Sequence, residues 1–179
     1  MNSVAVSVPN ILTIVRIILI PWFAILLFNR SFNQAVWVFA GAAVTDSLDG
    51  LIARWFSQKT RLGAFLDPVA DKLLLSTAYI TLAVMGEIPV WVTVIVISRD
   101  VVIALGVLIL SLQRIPLEAR PSVYSKLTTL FQVFLVLSVL ASGYFQIGEG
   151  VRQGLVWITV FLTIVSGFHY IHTGLRLMP

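Results

Sequence analysis

Residues 46–71 read DSLDGLIARWFSQKTRLGAFLDPVAD, and they place four aspartates in a strongly apolar chain. Asp46 and Asp49 fall within one apolar run, and Asp67 and Asp71 fall at the start of the next. An unpaired carboxylate inside a bilayer costs at least about 2.5 kcal/mol on insertion scales. Acids at such positions indicate a functional site, because nothing in helix packing alone requires them.

The composition defines the class of protein that carries these acids. Of the 179 residues, 59% are hydrophobic and only 11% are charged, whereas a soluble domain carries about 25% charged residues. There is no cysteine, so disulfides are excluded. The net charge is +4. In a membrane protein, basic residues mostly lie in cytoplasmic loops or contact lipid headgroups, so we expect no nucleic acid partner. We predict an all-α integral membrane protein with residues 1–179 as a single domain.

Six apolar runs approach the roughly 20 residues that a helix needs to cross a bilayer. We predict transmembrane helices at about 10–28, 34–56, 67–86, 88–112, 123–145 and 152–175. With the N-terminus in the cytoplasm, most basic loop residues fall on the cytoplasmic side, namely Lys59, Arg61, Arg114, Arg120 and Arg176. The aspartates then lie near a polar cavity that opens to that side. We see neither a cleaved signal nor a transit peptide and expect a bacterial inner (cytoplasmic) membrane.

The spacing of the acids predicts that they meet. Read as helix, the first run has one face of two carboxylates and two small residues, Asp46, Asp49, Gly50 and Ala53. The second run has a stripe at intervals of four, Gly63, Asp67 and Asp71. Helices joined by a short loop pack antiparallel, so these faces are able to gather the carboxylates around one point. Hard divalent cations bind such oxygen clusters, and the lack of His and Cys in this stretch argues against zinc.

The pattern D-x2-D-G-x2-A-R-x8-G-x3-D-x3-D in this stretch resembles the signature of the CDP-alcohol phosphotransferases, with every fixed position present. The six-span layout and the segment PNILTIVRIILIP at residues 9–21 extend the resemblance over most of the chain. The resemblance implies a six-helix membrane enzyme that forms a homodimer. It also implies transfer of a phosphatidyl group from CDP-diacylglycerol to an acceptor hydroxyl, with release of CMP, at a divalent-metal site open to the cytoplasmic leaflet.

Roles for the motif residues follow from the same resemblance. The ligands of two Mg²⁺ or Mn²⁺ ions would be Asp46, Asp49, Asp67 and Asp71. Asp71 would also be the general base. The CDP donor would contact Asp49, Gly50, Ala53, Arg54 and Gly63, with Arg54 at the diphosphate. These residue types suit the chemistry independently, because cations stabilise a leaving CMP and a hydroxyl nucleophile gains from a positioned base.

Two acceptors compete in the second half of the chain. The sequence Ser98-Arg99-Asp100 resembles cardiolipin synthases, which use phosphatidylglycerol. The glycerol 3-phosphate enzymes resemble the chain equally in its first half, but they carry a second arginine in helix four and a second lysine where Thr128 stands. A phosphomonoester needs several basic partners. We therefore predict phosphatidylglycerol as acceptor, glycerol 3-phosphate as the alternative, and the acceptor-binding residues Arg99, Arg120 and Lys126.

Helix one also carries a polar row, Asn10, Thr13 and Arg16, which we expect to line the cavity. Arg99 is expected to face a pocket and not Asp100, since helix neighbours point about 100° apart. Asp67 before Pro68 also fits a helix N-cap.

Two other classes explain the acids less well. A small ion-coupled transporter should show internal symmetry with charges in both halves, but these acids cluster in one half. A scaffolding membrane protein leaves the carboxylates unexplained.

Overall fold

A computed structural model describes residues 8–55, 61–113, 123–145 and 147–177, with side chains at 13–45, 69–110, 112–113, 123–145 and 147–174. Within these ranges the chain forms six α-helices and no strand, so the all-α prediction is confirmed. The helices are α1 Val8–Phe28, α2 Phe32–Trp55, α3 Arg61–Val84, α4 Val90–Leu112, α5 Val123–Leu140 and α6 Glu149–Leu177. A short 3₁₀ turn, Ala141–Gly143, follows α5.

The helix bounds differ most from prediction at α3, which begins at Arg61 and not near residue 67. Hydropathy finds the part of a helix suited to the bilayer, whereas backbone hydrogen bonding continues into the more polar residues before it. Asp67 therefore lies inside the helix, and its interpretation as an N-cap is wrong. Similarly, α6 extends beyond the predicted span at both ends.

Three stretches in the described part of the chain are long and apolar enough to cross a membrane, namely Val90–Leu110, Val123–Gly143 and Glu149–Gly174. A shorter apolar stretch, Thr13–Phe28, lies in α1. The membrane class of the protein is thus supported by helix length and composition. The count of six spans and the cytoplasmic opening of the cavity stay predictions.

The chain divides into two compact units, and the first contains α1 to α3 with the 3₁₀ turn, within residues 1–85 and 140–145. Here α1 packs against both α2 and α3. The rings of Phe23 and Phe39 lie 5.6 Å apart between centroids in the interior of unit 1. At the turn, Trp37 Nε1 donates a hydrogen bond to the Tyr144 hydroxyl at 3.3 Å. Unit 1 therefore brings the motif-bearing helices against α1.

The second unit contains α4, most of α5, and α6, within residues 86–139 and 146–179. Here α4 packs on α6. Buried polar side chains join α5 to α6: the Thr159 hydroxyl donates to the Phe131 carbonyl at 3.3 Å, and Gln132 Nε2 donates to Thr163 Oγ1 at 3.4 Å. Such interhelical hydrogen bonds stabilise helix pairs where lipid offers no partner. That the two units form one domain stays a prediction.

Candidate active site

The motif lies on the C-terminal part of α2 and the N-terminal part of α3, so its helical interpretation is confirmed. The side chain of Asp71 is described by the structure. The motif residues whose side chains lie outside the described ones are Asp46, Asp49, Gly50, Ala53, Arg54, Gly63 and Asp67. The meeting of four carboxylates around one point therefore stays a prediction.

Asp71 forms an ion pair with Arg16, which joins α3 to α1 across 55 residues of sequence. Arg16 Nη1 lies 2.5 Å from Asp71 Oδ1. The arginine side chain is only 2% exposed, whereas 41% of the aspartate side chain is exposed. A buried cation requires a charged or hydrogen-bonding partner, and Asp71 is such a partner for Nη1 of Arg16. At the same time the carboxylate keeps a surface accessible to a ligand.

The predicted polar row of α1 is described in part. Thr13 is buried, like Arg16, and the two stand three residues apart on one side of the helix. The side chain of Asn10 lies outside the described residues. Arg16 contacts α3 through Asp71, which places this side of α1 next to the second motif helix. That the row lines a substrate cavity stays a prediction.

A divalent cation is suited to the donor set that the motif offers, because carboxylate oxygens are the ligands that Mg²⁺ and Mn²⁺ take. Asp71 fits a ligand role, since its side chain is partly exposed and its carboxylate is held by Arg16. Among the described side chains, no group of three His, Cys, Asp or Glu residues gathers. The side chains of the other three predicted ligands lie outside the described residues, so the metal site stays a prediction.

Arg99 is the centre of a polar cluster that joins α4, α5 and α6. The residue is 7% exposed. Its Nη1 donates to Asp100 Oδ1 at 2.7 Å, and its Nη2 donates to the hydroxyls of Ser125 at 2.8 Å and Ser166 at 2.6 Å. The guanidinium carbon lies 5.8 Å from the centroid of the Tyr170 ring. One arginine thus holds three helices together.

The expectation that Arg99 does not face Asp100 is wrong. Neighbouring Cβ atoms on a helix do diverge, but the arginine side chain is long enough to turn its guanidinium back to the next carboxylate. Sequence reasoning also missed Ser125 and Ser166 as partners. A serine within an apolar run gives only a weak signal, because its hydroxyl is often bonded to its own helix.

The remaining acceptor candidates differ in their surroundings. Lys126 is exposed on α5, next to Ser125, and Arg120 lies outside the described residues. Thr128 is fully buried, and its hydroxyl lies 2.8 Å from the Tyr124 carbonyl and 3.0 Å from that of Leu162. Position 128 is thus a packing contact between α5 and α6. That the lack of a lysine at this position favours phosphatidylglycerol stays a prediction.

Comparison with known proteins identifies the family of this chain. The model of the CDP-alcohol phosphatidyltransferases matches residues 6–165. The cardiolipin synthase (CMP-forming) of Rattus norvegicus is 37% identical over 185 residues, which cover 94% of this chain and 61% of the relative. A probable phosphatidylglycerophosphate synthase of Mycobacterium tuberculosis is 35% identical over 179 residues, covering 95% of this chain and 82% of the relative.

A third relative is the CDP-diacylglycerol–glycerol-3-phosphate 3-phosphatidyltransferase of Rickettsia typhi, which is 32% identical over 171 residues, 92% of this chain and 94% of the relative. The chain spans about three fifths of the length of the mammalian cardiolipin synthases that it matches. The names of the relatives divide between two acceptors, but the family is common to them. On the match over residues 6–165, supported by a complete motif on α2 and α3, the chain belongs to the CDP-alcohol phosphatidyltransferase family.

Proposed function

We propose that this protein transfers a phosphatidyl group from CDP-diacylglycerol to an acceptor hydroxyl and releases CMP. The observation that carries the proposal is the family match over residues 6–165, within which the motif is complete. The acceptor oxygen forms a bond to the lipid-side phosphorus, and the bond from that phosphorus to the oxygen of CMP breaks. The hydroxyl proton passes to Asp71.

The carboxylates proposed to hold two Mg²⁺ or Mn²⁺ ions are Asp46, Asp49, Asp67 and Asp71. When bound, the cations neutralise charge on the diphosphate. Arg54 is proposed to contact the same diphosphate, and Asp49 to contact the donor. Gly50, Ala53 and Gly63 leave room for the nucleotide beside the helix backbone.

Asp71 is suited to the base role because its carboxylate is both held and accessible. The ion pair with Arg16 restrains one oxygen and offsets the negative charge, and 41% of the side chain remains exposed. A base must lie within hydrogen-bond reach of the proton that it accepts. A carboxylate buried to the degree of Arg16 would not meet that requirement.

For the acceptor we propose phosphatidylglycerol, which makes the product cardiolipin, with glycerol 3-phosphate as the second candidate. The resemblance of Ser98-Arg99-Asp100 to cardiolipin synthases supports the first. The acceptor phosphate is proposed to lie near Arg99, Arg120 and Lys126. The Arg99 guanidinium already donates three hydrogen bonds within the protein, so a phosphate with one charge suits it better than a phosphate with two.

The test is a competition between the two acceptors. Purified full-length protein receives CDP-diacylglycerol, Mg²⁺ or Mn²⁺, and equal concentrations of phosphatidylglycerol and glycerol 3-phosphate, and lipid products are separated by mass. We expect cardiolipin to predominate and CMP release to stop on chelation of the metal. Predominant phosphatidylglycerophosphate would reverse the choice of acceptor. Absence of substrate-dependent CMP release would contradict the enzyme itself and would favour the transporter alternative.

Lys126→Ala extends this test to the acceptor step. Lys126 is exposed and directly follows Ser125, a partner of Arg99, in the sequence. Its removal should raise the KM for the acceptor several-fold and leave the KM for the donor unchanged. Arg30→Ala is the matched control, since it removes an exposed basic residue from the turn between α1 and α2. Equal effects of the two variants would show only a general influence of positive charge.

We also propose that the protein is a homodimer in a bacterial inner membrane, with its N-terminus in the cytoplasm. The dimer is proposed from the resemblance, and the orientation from the distribution of Lys and Arg. Protease protection of an N-terminal tag in sealed inverted vesicles would contradict the orientation. A monomeric mass in native mass spectrometry from mild detergent would contradict the dimer.

A further inference from the structure

The Nη2 atom of Arg99 is fully used by the protein. Its two N–H groups donate to the hydroxyls of Ser125 and Ser166, at 2.8 and 2.6 Å. Nη1 donates one bond to Asp100. Nε is buried and has no hydrogen-bond partner in the part of the chain that the structure describes. Among the described residues, the N–H groups of Arg99 without a partner are thus the buried one on Nε and the second one on Nη1.

Because both N–H groups of Nη2 are engaged, the ways in which Arg99 can bind a phosphate are limited. A guanidinium offers a bidentate contact to a phosphate through two parallel N–H groups, either from Nη1 with Nη2 or from Nε with Nη2. Both arrangements need an N–H of Nη2. As long as both serines accept from Nη2, Arg99 can give a phosphate only single hydrogen bonds.

The two serine hydroxyls differ in how easily an anion could displace them from Arg99. Ser166 is completely buried on α6, whereas Ser125 is partly exposed on α5 and neighbours the exposed Lys126. Displacing the Ser125 hydroxyl leaves it access to solvent, but displacing that of Ser166 leaves a buried polar group without its bond, which costs more. Ser125 is thus the partner that controls the second N–H of Nη2.

We infer that Ser125 determines acceptor specificity by occupying the N–H of Arg99 that a bidentate phosphate contact requires. The inference rests on the proposed function, in which the acceptor phosphate lies at Arg99. A phosphodiester carries one negative charge and is served by single hydrogen bonds, whereas a phosphomonoester carries nearly two and gains more from a bidentate contact. The Ser125 hydroxyl therefore favours phosphatidylglycerol over glycerol 3-phosphate.

The test measures kcat/KM for both acceptors in wild-type protein and in Ser125→Ala. Alanine cannot accept the Arg99 hydrogen bond, so the ratio of glycerol 3-phosphate to phosphatidylglycerol use should rise about tenfold, the value of one charge-assisted hydrogen bond. Both constants come from the same preparation, so any loss of folded enzyme cancels in the ratio. Ser125→Cys, whose thiol is a weak acceptor, should shift the ratio in the same direction.

Two controls separate this role from a structural one. Ser125→Thr keeps a hydroxyl and should keep the wild-type ratio. Ser138→Ala removes a buried α5 hydroxyl, one that donates to the Leu135 carbonyl of its own helix at 2.7 Å, and should also leave the ratio unchanged. An unchanged ratio in Ser125→Ala, or an equal shift in Ser138→Ala, would overturn the inference. A wild-type protein that releases no CMP with either acceptor would instead overturn the proposed function, and the inference with it.

Discussion

Among the described side chains, units 1 and 2 each bury one arginine within a helix, and the contacts of the two arginines differ. In unit 1, Arg16 pairs with Asp71, which lies 55 residues away and keeps 41% of its side chain exposed. In unit 2, Arg99 pairs with the adjacent Asp100 and donates to two serine hydroxyls. Both arginines thus have a carboxylate partner, and Arg99 donates in addition to two neutral hydroxyls.

The difference has a chemical consequence. A carboxylate held by Arg16 has a defined position, which suits a group that accepts a proton or binds a metal ion. A guanidinium held by neutral hydroxyls can exchange one of them for an anion, because no charge is left unpaired when the hydroxyl leaves. The residue proposed as base thus belongs to unit 1, and the described residues proposed to bind the acceptor phosphate belong to unit 2.

The largest expected effect is that of Asp49→Ala, which removes a proposed metal ligand of unit 1. CMP release should fall by about 10³-fold, because charge on the diphosphate is no longer neutralised. Glu149→Gln, which changes an exposed acid in the first turn of α6, is the control and should retain activity. Radiolabelled CMP release in detergent measures both. Near wild-type turnover in Asp49→Ala would contradict the assignment of Asp49 on α2 as a metal ligand.

Asp71→Asn tests whether the partner of Arg16 is a base. The amide keeps the size of the side chain and an oxygen that can accept from Arg16, but it accepts no proton. CMP release should fall by about 10²-fold with donor binding retained. Equilibrium binding of CDP-diacylglycerol, measured beside turnover, separates the roles. If donor binding falls as much as turnover, Asp71 acts mainly as a metal ligand.

The smallest effect compares the two arginines by stability. Arg99→Met removes hydrogen bonds that join α4 to α5 and α6, while Arg16→Met leaves a carboxylate that solvent already reaches. Arg99→Met should therefore be the more destabilising by on the order of 1–2 kcal/mol. Thermal unfolding of both variants in the same detergent measures this. The reverse order would show that the ion pair of unit 1, and not the cluster of unit 2, carries the greater stability.

The helical organisation was largely predictable, because long apolar runs leave backbone groups no partner in lipid except their own helix. Prediction failed where polar residues extend a helix, as at Arg61, since hydropathy does not detect those turns. Prediction failed again at Arg99, because an argument from the angle between neighbouring helix positions does not take account of the length of the arginine side chain. The sequence also did not reveal which side chains pair with Arg16 and Arg99.

The sequence by itself determined the helical membrane class, the family, and the spacing of acids and small residues along α2 and α3. These properties are local, since they depend on residue type and interval within one stretch of chain. Only the tertiary structure decided that Arg16 pairs with Asp71 and that Ser125 and Ser166 hold Arg99. Such pairs join residues on different helices. Which side chains meet depends on how the helices pack, and the spacing of residues along one helix does not determine that packing.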